Sequence, residues 1–113
     1  MKNYKTVTVD EVEQLIGKQG VEVWNVLTDE YFKGISLPGT VRVPLDTVGR
    51  EVSNRKLPKD TQIITYCAGP KCPQSHQAAE KLATLGYTNV FVFEGGIEEW
   101  EKAGKKLDQV VAA

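Results

Sequence analysis

Histidine occurs once, as His76, and cysteine twice, as Cys67 and Cys72. A structural zinc takes four nitrogen or sulfur ligands in paired short spacings. Cys67, Cys72 and His76 offer three and no fourth exists, so neither a metal nor another cofactor is expected. No apolar run approaches the roughly 20 residues that cross a bilayer. The start, Met1-Lys2-Asn3-Tyr4-Lys5, has no apolar core of signal-peptide length. Charge of one sign is also missing: 14 basic residues face 15 acidic ones, for a net charge of -1, and no Lys/Arg block occurs. That balance argues against a nucleic-acid partner, and the missing apolar run against a membrane. The expectation is a cytoplasmic chain with reduced thiols. Repeats, low-complexity stretches and linkers are absent too.

What is present suits one domain. With 113 residues and 41% hydrophobic content, the chain can bury a core without disulfide staples. We expect a single domain over 1–113, with its core at about 5–107. Two neighbouring cysteines in such a chain point to chemistry rather than to structure.

Thr8-Val9-Asp10-Glu11 reads as a capping box, followed by an apolar face of Val9, Val12, Leu15 and Ile16. Val21 to Val26 reads as a strand. Thr28-Asp29-Glu30 reads as the cap of a short helix carrying Tyr31 and Phe32. Thr40 to Val43 is a short strand, and 45–57 a helical piece. Gln62 to Tyr66 is a strand, and Pro73 to Leu85 a helix with Ala78, Ala79, Leu82 and Leu85 inward. Asn89 to Phe93 is a strand, Ile97 to Ala103 a last helix, and Gln109 to Ala113 a frayed tail. β-Branched strands alternating with helices predict an α/β fold: a mostly parallel sheet with helices on both faces. Ligands in that class bind outside the carboxyl ends of the strands.

The run Ile63-Ile64-Thr65-Tyr66-Cys67 puts a thiol at such an end, just before a helix start. Unpaired N–H groups and a partial positive charge collect there. Both stabilise a thiolate, whose pKa is otherwise about 8.5. Ala68 and Gly69 have little bulk, so backbone N–H groups can converge on what Cys67 carries. Pro70 turns the loop, and Lys71 adds a charge for an anionic substrate. The functional reading is a nucleophile that takes a sulfane sulfur and holds it as a persulfide. The plain alternative is a buried strand-end cysteine.

With these segments in order, the chain resembles the rhodanese-like family of single-domain sulfurtransferases, from about Thr8 to Leu107. Val21-Glu22-Val23-Trp24-Asn25-Val26 with Glu30-Tyr31 is similar to the family's first core strand and following helix. Leu37-Pro38-Gly39-Thr40-Val41-Arg42-Val43-Pro44 is similar to its His-Ile-Pro-Gly-Ala segment. Tyr66-Cys67 with Ala78-Ala79-Glu80-Lys81-Leu82 is similar to its catalytic strand, loop and helix. Val90 to Trp100, through Glu94-Gly95-Gly96, is similar to its closing motif. The resemblance implies a five-stranded, mostly parallel sheet and a persulfide on Cys67. It implies a small sulfur-donor anion such as thiosulfate, or another sulfane donor. The implied acceptor is a thiol, cyanide or a protein. Three features depart from the pattern. Asn25 replaces an acidic residue, Ser36 replaces a common histidine, and the loop after Cys67 is longer and holds Cys72.

Cys72 reads either as a relay that resolves Cys67 as a disulfide or as a shaper of the loop, with Pro73 as first helical residue. Ser75 reads as a helix cap or as a hydrogen-bond partner of the sulfur, with capping the commoner use. Accessory candidates are Asn25, Arg42 and His76. Arg42 points into the pocket or lies on the surface; His76 donates a proton or is simply solvated. Glu94, Glu98, Glu99 and Glu101 read as a solvated acidic helix start. A phosphatase or arsenate reductase on this scaffold needs an arginine five residues after the loop begins, and Pro73 stands there. A non-catalytic sulfur-carrier or regulatory domain is the other rival.

Overall fold

The computed structural model describes residues 4–109. Five parallel strands form one sheet in the order β1-β6-β5-β2-β4. They are β1 (Lys5–Thr6), β2 (Val21–Asn25), β4 (Val41–Arg42), β5 (Gln62–Tyr66) and β6 (Val90–Phe93). A second, antiparallel pair joins β3 (Ile35–Ser36) to β7 (Asp108–Gln109). The helices are α1 (Val9–Leu15), α2 (Val48–Arg55), α3 (Gln74–Thr84) and α4 (Gly96–Lys102). A 3-10 turn over Leu45–Thr47 leads into α2.

The apolar residues of β2, β5 and β6 divide between two cores, which is why helices cover both faces. On one face Val48 and Val52 of α2 and Ala78, Ala79 and Leu82 of α3 meet Trp24, Ile63, Val90 and Val92. On the other, Val12 of α1 and Trp100 of α4 meet Val23, Ile64, Tyr66 and Phe93. The fold class read from the sequence is the one observed. The capping box also forms: Thr8 Oγ1 accepts from the Glu11 amide at 3.2 Å, and Glu11 Oε1 from the Thr8 amide at 2.9 Å.

Four expectations need correction. Thr28 starts a turn and no helix; the Tyr31 and Phe32 amides both donate to its carbonyl. Leu85 follows the end of α3 and stands partly in solvent rather than inward. Pro73 occupies the cap position, with α3 beginning at Gln74. Gln109 is paired in β7, while the remaining tail, 110–113, lies outside the described residues. Three short strands, β1, β3 and β7, are not among the expected elements.

Parallel register aligns the carboxyl ends. Asn25 pairs with Arg42 on one side and with Tyr66 on the other, and Tyr66 pairs with Phe93. The residue after Tyr66 therefore emerges at the middle of the sheet's carboxyl edge.

Candidate active site

That residue is Cys67. Ile63, Ile64 and Tyr66 before it are fully buried, so the strand reaches its end inside the core and Cys67 itself is only 1% exposed. The chain then bends through 68–73 into α3. The turn before α4 backs this loop. Gly96, at φ +56°, lies so close that a Cβ there would collide with the Cys67 carbonyl oxygen. A residue with a side chain fits neither that φ nor that space. From α4, the Ile97 amide donates to the Cys67 carbonyl at 3.1 Å and the Glu98 amide to the Ala68 carbonyl at 2.9 Å. The Gly95-Gly96 turn is thus part of the loop's support, and the doubled glycine is its sequence signal.

The start of α3 is fixed from two sides. Thr65 Oγ1 on β5 donates to the Ser75 carbonyl at 2.8 Å, entirely within the core. Gln74 Nε2 donates to Thr28 Oγ1 at 3.1 Å, and the Thr28 amide donates back to Gln74 Oε1 at 3.1 Å. Neither Thr65 nor Gln74 was singled out by sequence, since a threonine in a strand and a glutamine in a first turn carry no distinctive signal.

Opposing groups meet the Cys67 sulfur. Its S–H donates to the Cys72 carbonyl at 3.4 Å. Burial pushes the thiol up, and hydrogen bonding to the Cys72 side chain pushes it further. Ser75 pulls the other way with both its hydroxyl and its amide, which favour the thiolate. The balance lies at about 11, above the ordinary thiol value of 9.0. This corrects the expectation of an acidic thiol. Helix-start donors do reach the sulfur, but desolvation outweighs them. Ser75 is buried in the first turn and serves the sulfur; no side chain caps α3.

Among the described residues, two cavities beside the loop are lined by Cys72. One, of about 460 Å³, is walled by Ala68, Gly69, Pro70, Lys71, Cys72 and Glu98. The other, of about 450 Å³, is walled by Leu27, Tyr31, Lys33, Ala68, Cys72, Pro73, Gln74 and Gln77. Cys72 and Ala68 belong to both. Lys71 brings a cation to the first cavity, and Glu98 brings a carboxylate against Gly69. Glu98 is exposed in the first turn of α4, as the reading of a solvated helix start expects, and pairs with Lys102 at 3.2 Å.

The accessory candidates lie elsewhere. Asn25 is buried, donating to Ser36 Oγ at 2.8 Å and to the Ile35 carbonyl at 3.3 Å, and accepting from the Leu27 amide at 3.1 Å. It shapes the strand ends without touching the sulfur. Arg42 donates to the Leu27 carbonyl at 2.9 Å, pairs with Asp29 at 3.0 Å and covers the Phe32 ring at 3.9 Å. It braces the 27–32 segment instead of reaching into the pocket. His76 is neither simply solvated nor directed at Cys67. Its Nδ1 meets the Tyr4 hydroxyl at 2.8 Å and its Nε2 meets Glu94 at 3.2 Å. Among the described residues no three His, Cys, Asp or Glu side chains converge as a metal would require.

A parallel sheet with a buried cysteine and a backbone-supported loop at its carboxyl edge defines a class of α/β domain. The model of the rhodanese-like domain matches residues 8–103, and the chain belongs to that family. Its fold is similar to that of the BH2092 protein from Bacillus halodurans, at 30% identity and a TM-score of 0.80, covering 95% of this chain and 77% of that one. A thiosulfate sulfurtransferase from Pseudomonas aeruginosa shares the fold at 22% identity and a TM-score of 0.78. That match covers 96% of this chain and 21% of that protein. A Rhodopseudomonas palustris protein described as a possible tyrosine phosphatase shares it at 22% identity and a TM-score of 0.75, covering 93% and 85%. No curated protein matches the sequence.

Proposed function

We propose that the protein is a sulfurtransferase that carries sulfane sulfur on Cys67. The Cys67 thiolate attacks the outer sulfur of thiosulfate or of a persulfide donor. The donor's S–S bond breaks, sulfite or a thiolate leaves with the electron pair, and a persulfide remains on Cys67. A thiol, cyanide or a protein cysteine then takes the outer sulfur and restores the thiol. A cytoplasmic thiol pool would supply the acceptor.

The observation that carries this reading is the pairing of Cys67 with Ser75. Both the Ser75 amide and its hydroxyl favour the anionic sulfur. A persulfide is held as an anion, so the donors suited to the thiolate suit it as well. The backbone brace from α4 engages the Cys67 and Ala68 carbonyls and so fixes the start of the loop.

A second reading is favoured by the burial of Cys67 and its raised pKa: a carrier or regulatory domain with slow turnover. An oxyanion enzyme of the phosphatase kind has less support. Arg42 is committed to Asp29 and Leu27, and position 73 is proline, so no guanidinium fork faces the cysteine.

The test is steady-state sulfur transfer to cyanide, with thiosulfate and glutathione persulfide as donors. Turnover that disappears in Cys67→Ser supports the enzyme. Stoichiometric loading without turnover favours the carrier.

A further inference from the structure

We propose that Cys72 is a resolving thiol, attacking the persulfide on Cys67 to form a Cys67–Cys72 disulfide and release hydrosulfide. The proposal rests on the sulfur-carrying role of Cys67 and adds a second activity to it: reduction of sulfane sulfur at the expense of a dithiol.

Three observations support it. The Cys67 S–H donates to the Cys72 carbonyl at 3.4 Å, which sets the two residues side by side. The loop is folded back to make this contact, with the Cys72 amide donating to the Gly69 carbonyl at 3.1 Å. Disulfide formation brings the sulfurs to about 2 Å. The span that must give is Ala68-Gly69-Pro70-Lys71, three of whose residues are exposed.

The third observation is access. Cys67 is 1% exposed, whereas Cys72 is half-buried and lines both cavities. An external thiol entering either cavity meets Cys72, whereas Cys67 lines neither. A residue needed only to fill space would not have to set a thiol against the buried one.

The chemistry balances. The Cys72 thiolate attacks the Cys67 Sγ, the bond from Sγ to the outer sulfur breaks, and hydrosulfide leaves with the electron pair. The outer sulfur is reduced by two electrons, and the two cysteines are oxidised by two to a disulfide. An external dithiol then reduces that disulfide and returns both thiols. The net reaction is sulfane donor plus dithiol giving sulfide, the donor's leaving group (sulfite from thiosulfate, a thiol from a persulfide) and oxidised dithiol.

The experiment is a single turnover without added thiol or oxygen. Fully reduced protein is mixed with thiosulfate and, separately, with inorganic polysulfide, and sulfide release and intact mass are followed. The native chain should release stoichiometric sulfide and lose two hydrogens, with a cross-linked peptide joining Cys67 to Cys72. Cys72→Ser and Cys72→Ala should instead keep a gain of one sulfur atom on Cys67 with either reagent, and with thiosulfate, whose leaving group is sulfite, they should release no sulfide. If the native chain holds the extra sulfur as stably as these variants, the resolving role is wrong while the carrier role stands. If neither reagent adds sulfur to any form and no sulfide appears, the Cys67 reading fails and the resolver with it.

Discussion

Asn25 and Ser36 are hydrogen-bonded to each other in the core, Nδ2 to Oγ at 2.8 Å, and both are almost completely buried. They stand where the family resemblance carries an acid and a histidine. Neither group titrates, and the two meet directly. The same network continues to Tyr66, whose hydroxyl accepts from the Leu37 amide at 3.0 Å and meets Thr40 Oγ1 at 2.7 Å. It ties the ends of β2 and β5 to the 35–40 segment.

Removing one member leaves the others buried without partners, which costs about 1–3 kcal/mol for each such group. Asn25→Ala should therefore lower the thermal midpoint by several degrees, while leaving any sulfur loading of the folded fraction intact. A thermal melt followed by circular dichroism checks this, and an unchanged midpoint would contradict the role given to the network.

Gly96→Ala should be worse for the site than for the sheet. A Cβ there meets the Cys67 carbonyl and is strained at φ +56°, so the Cys67 loop must move. Strain of this kind costs about 1–3 kcal/mol. The expected result is folded protein, by its circular dichroism spectrum, whose Cys67 loads sulfur at least tenfold more slowly, about 1.4 kcal/mol in the barrier. Loading at the native rate would show that the loop does not depend on this approach.

The raised Cys67 pKa sets the pH behaviour. With the folded value near 11 and the ordinary value at 9.0, the thiol form dominates at neutral pH. Alkylation of Cys67 should rise about tenfold per pH unit across the alkaline range, levelling only near 11. Ser75→Ala removes a donor to the thiolate and should move the inflection upward. The same displacement contributes stability below the ordinary value of 9.0 and loses it as pH climbs through 11, because the unfolded chain ionises first. Iodoacetamide kinetics in a Cys72→Ser background measure it. An inflection below 9 would mean that the donors, not burial, prevail.

Glu98 sits against Gly69 at the mouth of the cavity that Lys71 lines. Its charge opposes an anionic donor, at long range and subject to salt. Glu98→Gln should improve kcat/KM for thiosulfate by about threefold to tenfold at low ionic strength, corresponding to roughly 1 kcal/mol. The gain should shrink as salt is added, and no change at low salt would remove Glu98 from the account of donor choice.

Much of this architecture is legible in the chain. Ile63 to Tyr66 reads as a buried strand because β-branched residues run without polar breaks, and Cys67 follows it at the edge where parallel sheets bind ligands. Thr8 and Glu11 declare a helix start because both capping partners are local. What is not legible depends on distant partners. The two-residue strands β1 and β7 are exposed and carry no period; they exist because β6 and β3 pair with them. Thr28 has a cap's chemistry, yet Arg42, fourteen positions on, braces the segment as a turn by taking the Leu27 carbonyl and Asp29. Ser75 has a cap's chemistry too, but Pro73 already holds the cap position and leaves Ser75 facing the sulfur. The sign of the Cys67 shift is the clearest case. Helix-start donors can be inferred from sequence order, whereas desolvation depends on how many side chains close around the sulfur.

The most direct test of the central claim is the intact mass of Cys72→Ser after incubation with thiosulfate and with glutathione persulfide, set beside Cys67→Ser treated in the same way. The account predicts a gain of one sulfur atom in Cys72→Ser, mapped to the Cys67 peptide and reversed by cyanide, and no gain in Cys67→Ser. Equal masses for the two variants after treatment with either donor would contradict it.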